Sequence, residues 1–235
     1  MSYTGDVHPG GPSAVRVLDE VEIRKASVGP MDNNAYLVTC RPTGAQLLID
    51  AAADPERLLA LVREGAPTAR LDGVVTTHRH PDHLSALASV VAVTGAQLLA
   101  GAEDADAVAA AADRPVDRRL RHGDTLQVGH AVLEVISLRG HTPGSIALAY
   151  REPEHVEQPE AVPGRVHLFT GDSLFPGGVG ATGDDRGRFE QLFADVVARV
   201  FEPYGDDTWV YPGHGADTTL GAERPQLASW HDRGW

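Results

Sequence analysis

Two periods of apolar residues alternate along this chain. In VRVLDEVEIRKASVG, residues 15 to 29, Val15, Val17, Val21 and Ile23 fall on alternate positions, the spacing of a strand with one buried face. NAYLVTC and AQLLIDAA follow as two further strands, separated by the turn residues Pro42 to Gly44. Asp54 and Pro55 then form an N-cap and first-turn pair ahead of ERLLALVREG, whose Leu58, Leu59, Leu61 and Val62 mark one face of a helix. LDGVVTTH reads as a strand, HLSALASVVAVTG as a helix, AQLLAG as a short strand and EDADAVAAAA as a helix of good propensity. From Asp124 the period shortens again. TLQVGHAVLEVISLRG predicts a hairpin turning at Gly129, with strands SIALAYRE and VHLFTGDSL after it and a polar loop over residues 152 to 165 between them. The helix RFEQLFADVVARVFEPYG, the strand DTWVYPGHG and a short helical segment near ERPQLASWHD complete the chain. Two blocks of strands with helices between them imply two facing sheets covered outside by helices.

Composition narrows this picture. The 235 residues, 42 % hydrophobic, suffice for one large core, so residues 15 to 235 are expected to form one domain behind a Gly-, Pro- and Ser-rich disordered tail at 1 to 14. The net charge of −13 would repel a phosphate backbone, and the arginines are scattered, which argues against a nucleic-acid partner. The single cysteine, Cys40, cannot close an internal disulfide, and the N-terminal MSYTGDVHPGGPSA lacks the apolar core of a signal peptide. A cytoplasmic protein is expected. No apolar run approaches the roughly 18 residues of a membrane span, so no membrane partner is expected either.

The chemistry gathers at strand ends. TTHRHPDHLSAL, residues 76 to 87, places His78 and His80 two apart, so that in an extended segment both imidazoles point the same way, with Asp82 and His83 at the turn that follows. RGHTPGS sets His141 after the strand VLEVISL, LFTGDSLF sets Asp172 after VHLF, and VYPGHGAD sets His214 after TWVY. Each is a strand end followed by a glycine-containing turn, which lets side chains distant in sequence converge at one sheet edge. The remaining histidines, His8, His122, His130, His155, His167 and His231, have no partner nearby in sequence and read as structural or surface residues.

The ordered series THRHPDH, GHTPGS, TGDSLF and YPGHG resembles the metallo-β-lactamase superfamily of hydrolases, most closely its glyoxalase II-like thioesterases, from about Asn33 to the C-terminal region. The resemblance implies an α/β fold, a four-layer αββα sandwich of two mixed sheets with helices outside, and a two-metal site at one edge of the paired sheets. His78, His80 and His141 would hold the first metal, Asp82, His83 and His214 the second, and Asp172 would bridge them. It also implies a carboxylate that orients a ligand histidine, for which LLIDAA offers Asp50; the alternative for Asp50 is an ordinary strand-end or cap residue. Two departures narrow the activity. Cys40 lies far from every motif, unlike the ligand cysteine common in the true β-lactamases, and no counterpart of the helical domain with which glyoxalase II helps to bind glutathione is expected after His214.

The expected activity is hydrolysis of a small thioester or ester by a hydroxide bridging two divalent ions, with Asp82 relaying a proton and Asp172 holding both ions. A nitrogen and oxygen ligand set suits zinc best and also accepts iron or manganese. The alternative is a persulfide dioxygenase of the same superfamily, with a single iron on His78, His141 and Asp172. A non-catalytic binding module on this fold is disfavoured, because degenerate relatives lose ligands. PGGVGATGDDRGR, residues 176 to 188, reads either as a mobile pocket wall or as a plain connecting loop, and GPMDNNAYL near residue 32 faces the same choice. Arg186 and Arg188 are the candidates to grip an anionic thiol carrier, with weak activity expected on S-lactoylglutathione.

Overall fold

Leu47 and Ile49 face one side of a strand and Leu48 the other, and all three are buried. A strand apolar on both faces needs a layer against each, and the chain supplies a second sheet on one side and helices on the other. A computed structural model describes residues 3 to 66 and 70 to 234.

The first sheet contains β1 (Ala14–Val17), β2 (Val21–Val28), β3 (Asn33–Cys40), β4 (Ala45–Ile49), β5 (Arg70–Thr76), β6 (Gln97–Gly101) and β7 (Arg118–Leu120), side by side in sequence order. It is antiparallel through β4 and parallel from β4 to β7. The second contains β8 (Thr125–Val128), β9 (Ala131–Ser137), β10 (Ile146–Arg151) and β11 (Val166–Gly171), with β14 (Trp209–Pro212) parallel to β11 and β15 (Thr218–Thr219) at the edge. A small hairpin, β12 (Leu174–Phe175) and β13 (Gly178–Val179), stands apart. Ile23, Val38, Ile49, Val75, Leu133, Leu148 and Phe169 pack between the two large sheets. Helices α1 (Pro55–Gly65), α2 (Leu87–Thr94) and α3 (Ala105–Ala112) cover the outer face of the first sheet, while α4 (Arg186–Val196) and the C-terminal α5 (Leu220–Glu223) and α6 (Leu227–Arg233) cover that of the second. The result is the αββα sandwich expected from the sequence.

Several expectations need correction. VRVLDEVEIRKASVG is two strands, β1 and β2, paired antiparallel around the turn at Asp19 and Glu20. The helix expected from His83 begins only at Leu87, because Pro81 to His83 form a separate 3-10 turn. The expected tail is anchored from Tyr3 onward. Tyr3 is buried, donates its hydroxyl to Asp217 at 2.9 Å and packs edge-on against Trp209. Met1 and Ser2 of that tail lie outside the described residues. The expected hairpin at Gly129 is present, with Gly129 at φ 58° and Val128 paired to Ala131.

His167 is structural, as expected, but it lies deep in the interior. Its ring bonds Tyr211 Oη at 2.9 Å and Glu152 Oε1 at 2.8 Å, and Glu152 also accepts from Arg165 at 2.9 Å. Burial is the main cause that pushes this imidazole down to about 4. The unfolded chain therefore takes up this proton first as the pH falls, and the contribution of this group to stability drops from about pH 6.5 to about pH 4 and levels below. We expect His167→Gln to remove up to about 3 kcal/mol of that pH dependence. Denaturant unfolding of both proteins in chelator across this window checks it, and parallel stability curves would refute the assignment.

Candidate metal centre

β5 delivers Thr76 and Thr77 to the edge of the first sheet, and the chain then breaks from strand geometry at His78. Thr77 O accepts the backbone N–H of Ile146, the first residue of β10, at 2.9 Å, so the two sheets are stitched together beside the histidines. β11 and β14 end at the same edge, with Gly213 N donating to Gly171 O at 2.8 Å and Asn34 N donating to Gly213 O at 2.7 Å. These bonds bring four sequence-distant segments to one place.

The residues picked from the sequence meet there. His78, His80 and His141 form one trio of potential ligands, and Asp82, His83 and His214 form another; within each group the donor atoms lie within 4.8 Å of one another. Asp172 touches both. Its Oδ2 is 3.7 Å from His141 Nε2 and 3.4 Å from His214 Nε2, and its Oδ1 is 3.3 Å from His83 Nε2. The other histidines stay outside this cluster.

Hydrogen bonds fix which nitrogen of His78, His83, His141 and His214 faces inward. Carbonyl oxygens only accept, so His141 Nδ1 donates to Ala181 O at 2.7 Å and His214 Nδ1 donates to Met31 O at 2.9 Å. Asp50 accepts the backbone N–H of Thr77, the Thr77 hydroxyl and His83 Nδ1, at 2.7, 2.7 and 2.9 Å. Asp50 itself takes a left-handed backbone, φ 59°, which Asp tolerates better than most residues and which turns it under the end of β5. With its proton given to Asp50, Thr77 Oγ1 is left to accept from His78 Nδ1 at 3.1 Å. His83 Nε2 and His214 Nε2 then face each other at 3.2 Å, and His78 Nε2 faces His80 Nδ1 at 3.1 Å.

Ring nitrogens this close need a proton or a cation between them. His141 Nε2 and Asp172 Oδ1 are buried without a hydrogen-bond partner, a costly state for polar atoms in a protein interior. The donor set therefore fits divalent cations, with imidazole nitrogens and carboxylate oxygens suited to zinc, iron or manganese. The electrostatics agree. Burial holds His78, His80 and His141 below the ordinary imidazole range, so they favour the neutral, ligating form. Burial also opposes a proton on His83, but Asp50 and Asp172 outweigh it and push this ring up to about 10. Positive charge is favoured at that position.

Two residues outside the expected set complete the arrangement. Asn33, from the GPMDNNAYL stretch, donates Nδ2 to Asp82 Oδ2 at 2.9 Å and pairs with His214 as an isolated bridge. Gly213 leaves room for the carboxylate between the trios, since a Cβ there would lie 2.1 Å from Asp172 Oδ1 and 2.8 Å from His83 Cε1. The glycine in YPGHG signals a turn, but its contact across the sheet is visible only in three dimensions.

The expectation for Arg188 is corrected. Arg188 donates Nε to Gly140 O at 2.8 Å and also bonds His141 O, which places its guanidinium under the His141 turn instead of leaving it for a substrate. Arg186 pairs with Glu190 one helical turn on. The 176 to 188 segment supports the site through Ala181 O, which accepts from His141 Nδ1. A cavity of about 780 Å³ at the opposite end of the strands, lined by Thr43, Gly44, Arg70, Asp72, Gln97 and Gly129 among others, contains none of the candidate ligands.

Gly213→Ala is expected to displace the Asp172 carboxylate and lower bound metal per chain, as read by elemental analysis of the purified variant; full metal content would show that the site tolerates the shift. Chelation of the wild type is expected to lower its melting temperature, because a cation at 100 times its Kd stabilises the fold by about 2.7 kcal/mol. An unchanged melting temperature after complete demetallation would argue against this coupling.

Comparison with known proteins places these features in a family. The model of the metallo-beta-lactamase superfamily matches residues 28–156, more than half of the chain. A hydroxyacylglutathione hydrolase of Polaromonas sp. (strain JS666) is 38 % identical over 190 residues, which cover 77 % of this chain and 62 % of that protein. The chain thus spans less than two thirds of the length of that relative. Among solved structures, ETHE1 from Myxococcus xanthus superposes with a TM-score of 0.68 at 27 % identity, covering 88 % of this chain and 84 % of that one. TTHA1623 in a di-iron-bound form superposes with a TM-score of 0.61 at 30 % identity, covering 85 % and 96 %. With two sheets meeting at a histidine- and aspartate-lined edge, and a family match over more than half its length, this chain belongs to the metallo-beta-lactamase superfamily.

Proposed function

We propose that the chain is a metal-dependent hydrolase of small thioesters or related esters, with His78, His80 and His141 holding one divalent cation, Asp82, His83 and His214 a second, and Asp172 contacting both. The observation that carries this reading is the position of Asp172 within 3.7 Å of a histidine from each trio. Two such cations supply Lewis acidity and lower the pKa of water toward neutrality, which suits attack on a carbonyl. The chain's own residues do the positioning. Burial alone would raise the Asp172 carboxyl, but the adjoining His214 and His83 imidazoles hold it far below the ordinary carboxylate range, so it stays an anion.

Asp82 is the candidate proton carrier. Its side chain is partly exposed, Asn33 holds it by the 2.9 Å bond, and Oδ2 sits 3.2 Å from His214 Nε2. Burial disfavours its charge, and the Asn33 bond offsets this and keeps it below the usual aspartate range. It therefore serves as an acceptor beside the cluster, oriented by a neutral amide that does not compete for the proton. Asp50 acts from below: by accepting His83 Nδ1 it aims His83 Nε2 at the centre and makes the imidazole a better donor to a cation.

The hydroxyacylglutathione hydrolase relative supports a thioester as substrate. The second reading is a single-iron persulfide dioxygenase using His78, His141 and Asp172. The ligand identities alone do not separate the two readings; the hydroxyacylglutathione hydrolase relative favours the first. Metal analysis together with a panel of matched acyl thioesters, S-lactoylglutathione included, separates them by kcat/KM. About two cations per chain with thioester cleavage is the expected result; one iron with sulfide-dependent oxygen uptake would replace it. Asp172→Asn is expected to lower metal content and reduce turnover by at least about 100-fold, the upper end of what partners one shell further out contribute. Full metal occupancy with normal turnover in this variant would remove Asp172 from the site.

A further inference from the structure

Asp104 occupies the N-cap position of α3, where an aspartate ordinarily bonds its own helix, yet its side chain makes no such capping bond. It is 1 % exposed and turns beneath the metal centre instead. Oδ2 accepts the backbone N–H of Arg79 at 3.0 Å and the hydroxyl of Thr142, and Oδ1 accepts the backbone N–H of Gly144 at 3.1 Å. Arg79 lies between His78 and His80, and Thr142 directly follows His141. One buried carboxylate therefore joins the two loops that carry the first trio.

The junction is tight. A Cβ on Gly144 would lie 2.3 Å from Asp104 N, and one on Gly101 would lie 1.9 Å from Gly144 O, so the end of β6 presses directly on the HTPGS turn. Within that turn Ser145 Oγ accepts Thr142 N at 3.0 Å and shares a 2.7 Å bond with Thr142 Oγ1, which holds the hydroxyl in place. A buried carboxylate stripped of water needs its donors, and these come from two segments that otherwise belong to different sheets. Moving either loop leaves an anion without its partners.

We infer that Asp104 is a positioning residue that sets the spacing between His80 and His141, and with it the cation affinity of the His78, His80 and His141 trio in preference to that of the Asp82, His83 and His214 trio. The inference rests on the two-cation reading above. Asp50 plays the complementary part through its direct bond to His83.

Asp104→Asn keeps the side-chain volume but puts an amide N–H₂ where one of these donors needs an acceptor. Stepwise binding of Zn²⁺ to the demetallated protein, in competition with a chromophoric chelator, gives the two affinities, and His80→Ala and His214→Ala assign each step to its trio. The first trio's affinity is expected to fall about 10- to 100-fold in Asp104→Asn while the second stays unchanged. Thr142→Val, which keeps the carboxylate and removes one donor, is expected to give the same selectivity with a smaller effect; it decides the matter if Asp104→Asn does not fold. Equal weakening of both steps in the folded variants would mark Asp104 as a general structural residue and overturn the inference, as would no weakening at all. A wild type that binds one Zn²⁺ would overturn the two-cation reading and the selectivity with it. Two Zn²⁺ in the wild type with both affinities kept in the variants would overturn the role of Asp104 alone.

Discussion

Negative charge buried at the edge of the sandwich has to be met inside the protein, and the arrangement of that edge follows from how it is met. Asp50 is almost fully buried and satisfies its carboxylate with Thr77 N, Thr77 Oγ1 and His83 Nδ1. An ion removed from water at such a position carries a penalty of several kcal/mol unless its partners are in place. Those partners are the end of β5 and the first residues after it, so satisfying Asp50 fixes where the THRHPDH segment leaves the sheet. The same bonds set the tautomers of His83 and His78. A requirement of folding thus orients the groups that face the cation positions.

Convergence of the other segments depends on backbone contacts that only small residues allow. Gly171, at φ 48°, ends β11 so close to Thr77 that a Cβ would lie 2.4 Å from its hydroxyl oxygen. Gly213 gives up its side chain so that Asp172 can stand between the trios. Parallel pairing of β11 with β14 brings the TGDS and PGHG turns side by side, and the Ile146 to Thr77 backbone bond joins the second sheet to the first. With the strands rigid and the turns tight, the clustered side chains are held with little freedom, and preorganisation of this kind is what a metal site requires.

A second buried network lies behind the site. Lys25 is fully buried, donates to Asp217 and to Gly215 O at 2.7 Å each, and so braces the turn that carries His214. Tyr3 and Trp209 complete the bonding of Asp217. Removing one member of such a pair leaves an uncompensated charge in the interior, so the stability of this end of the sandwich and the placement of His214 are coupled.

The sequence by itself determined the layers and the residues that meet at the sheet edge. Apolar periods of two and of three to four residues placed strands and helices, because burial on one face or two leaves a direct mark on residue order. His78, His80, Asp82, His83, His141, Asp172 and His214 were legible because each follows an apolar strand, at the THRHPDH cluster or at a glycine turn, and that signal is local. What the sequence left open was decided by contacts between distant segments. EDADAV reads as the start of a helix, but nothing local says that Asp104 turns from its helix to Arg79, Thr142 and Gly144. Arg188 reads as an available cation, but the Gly140 and His141 carbonyls take it up. Asn33 and Gly213 read as turn residues, and only the meeting of β3 with β14 shows what they hold. Hydrogen-bond partners and close approaches between remote parts of a chain depend on where the sheets place them, and residue order records only which groups are available to meet.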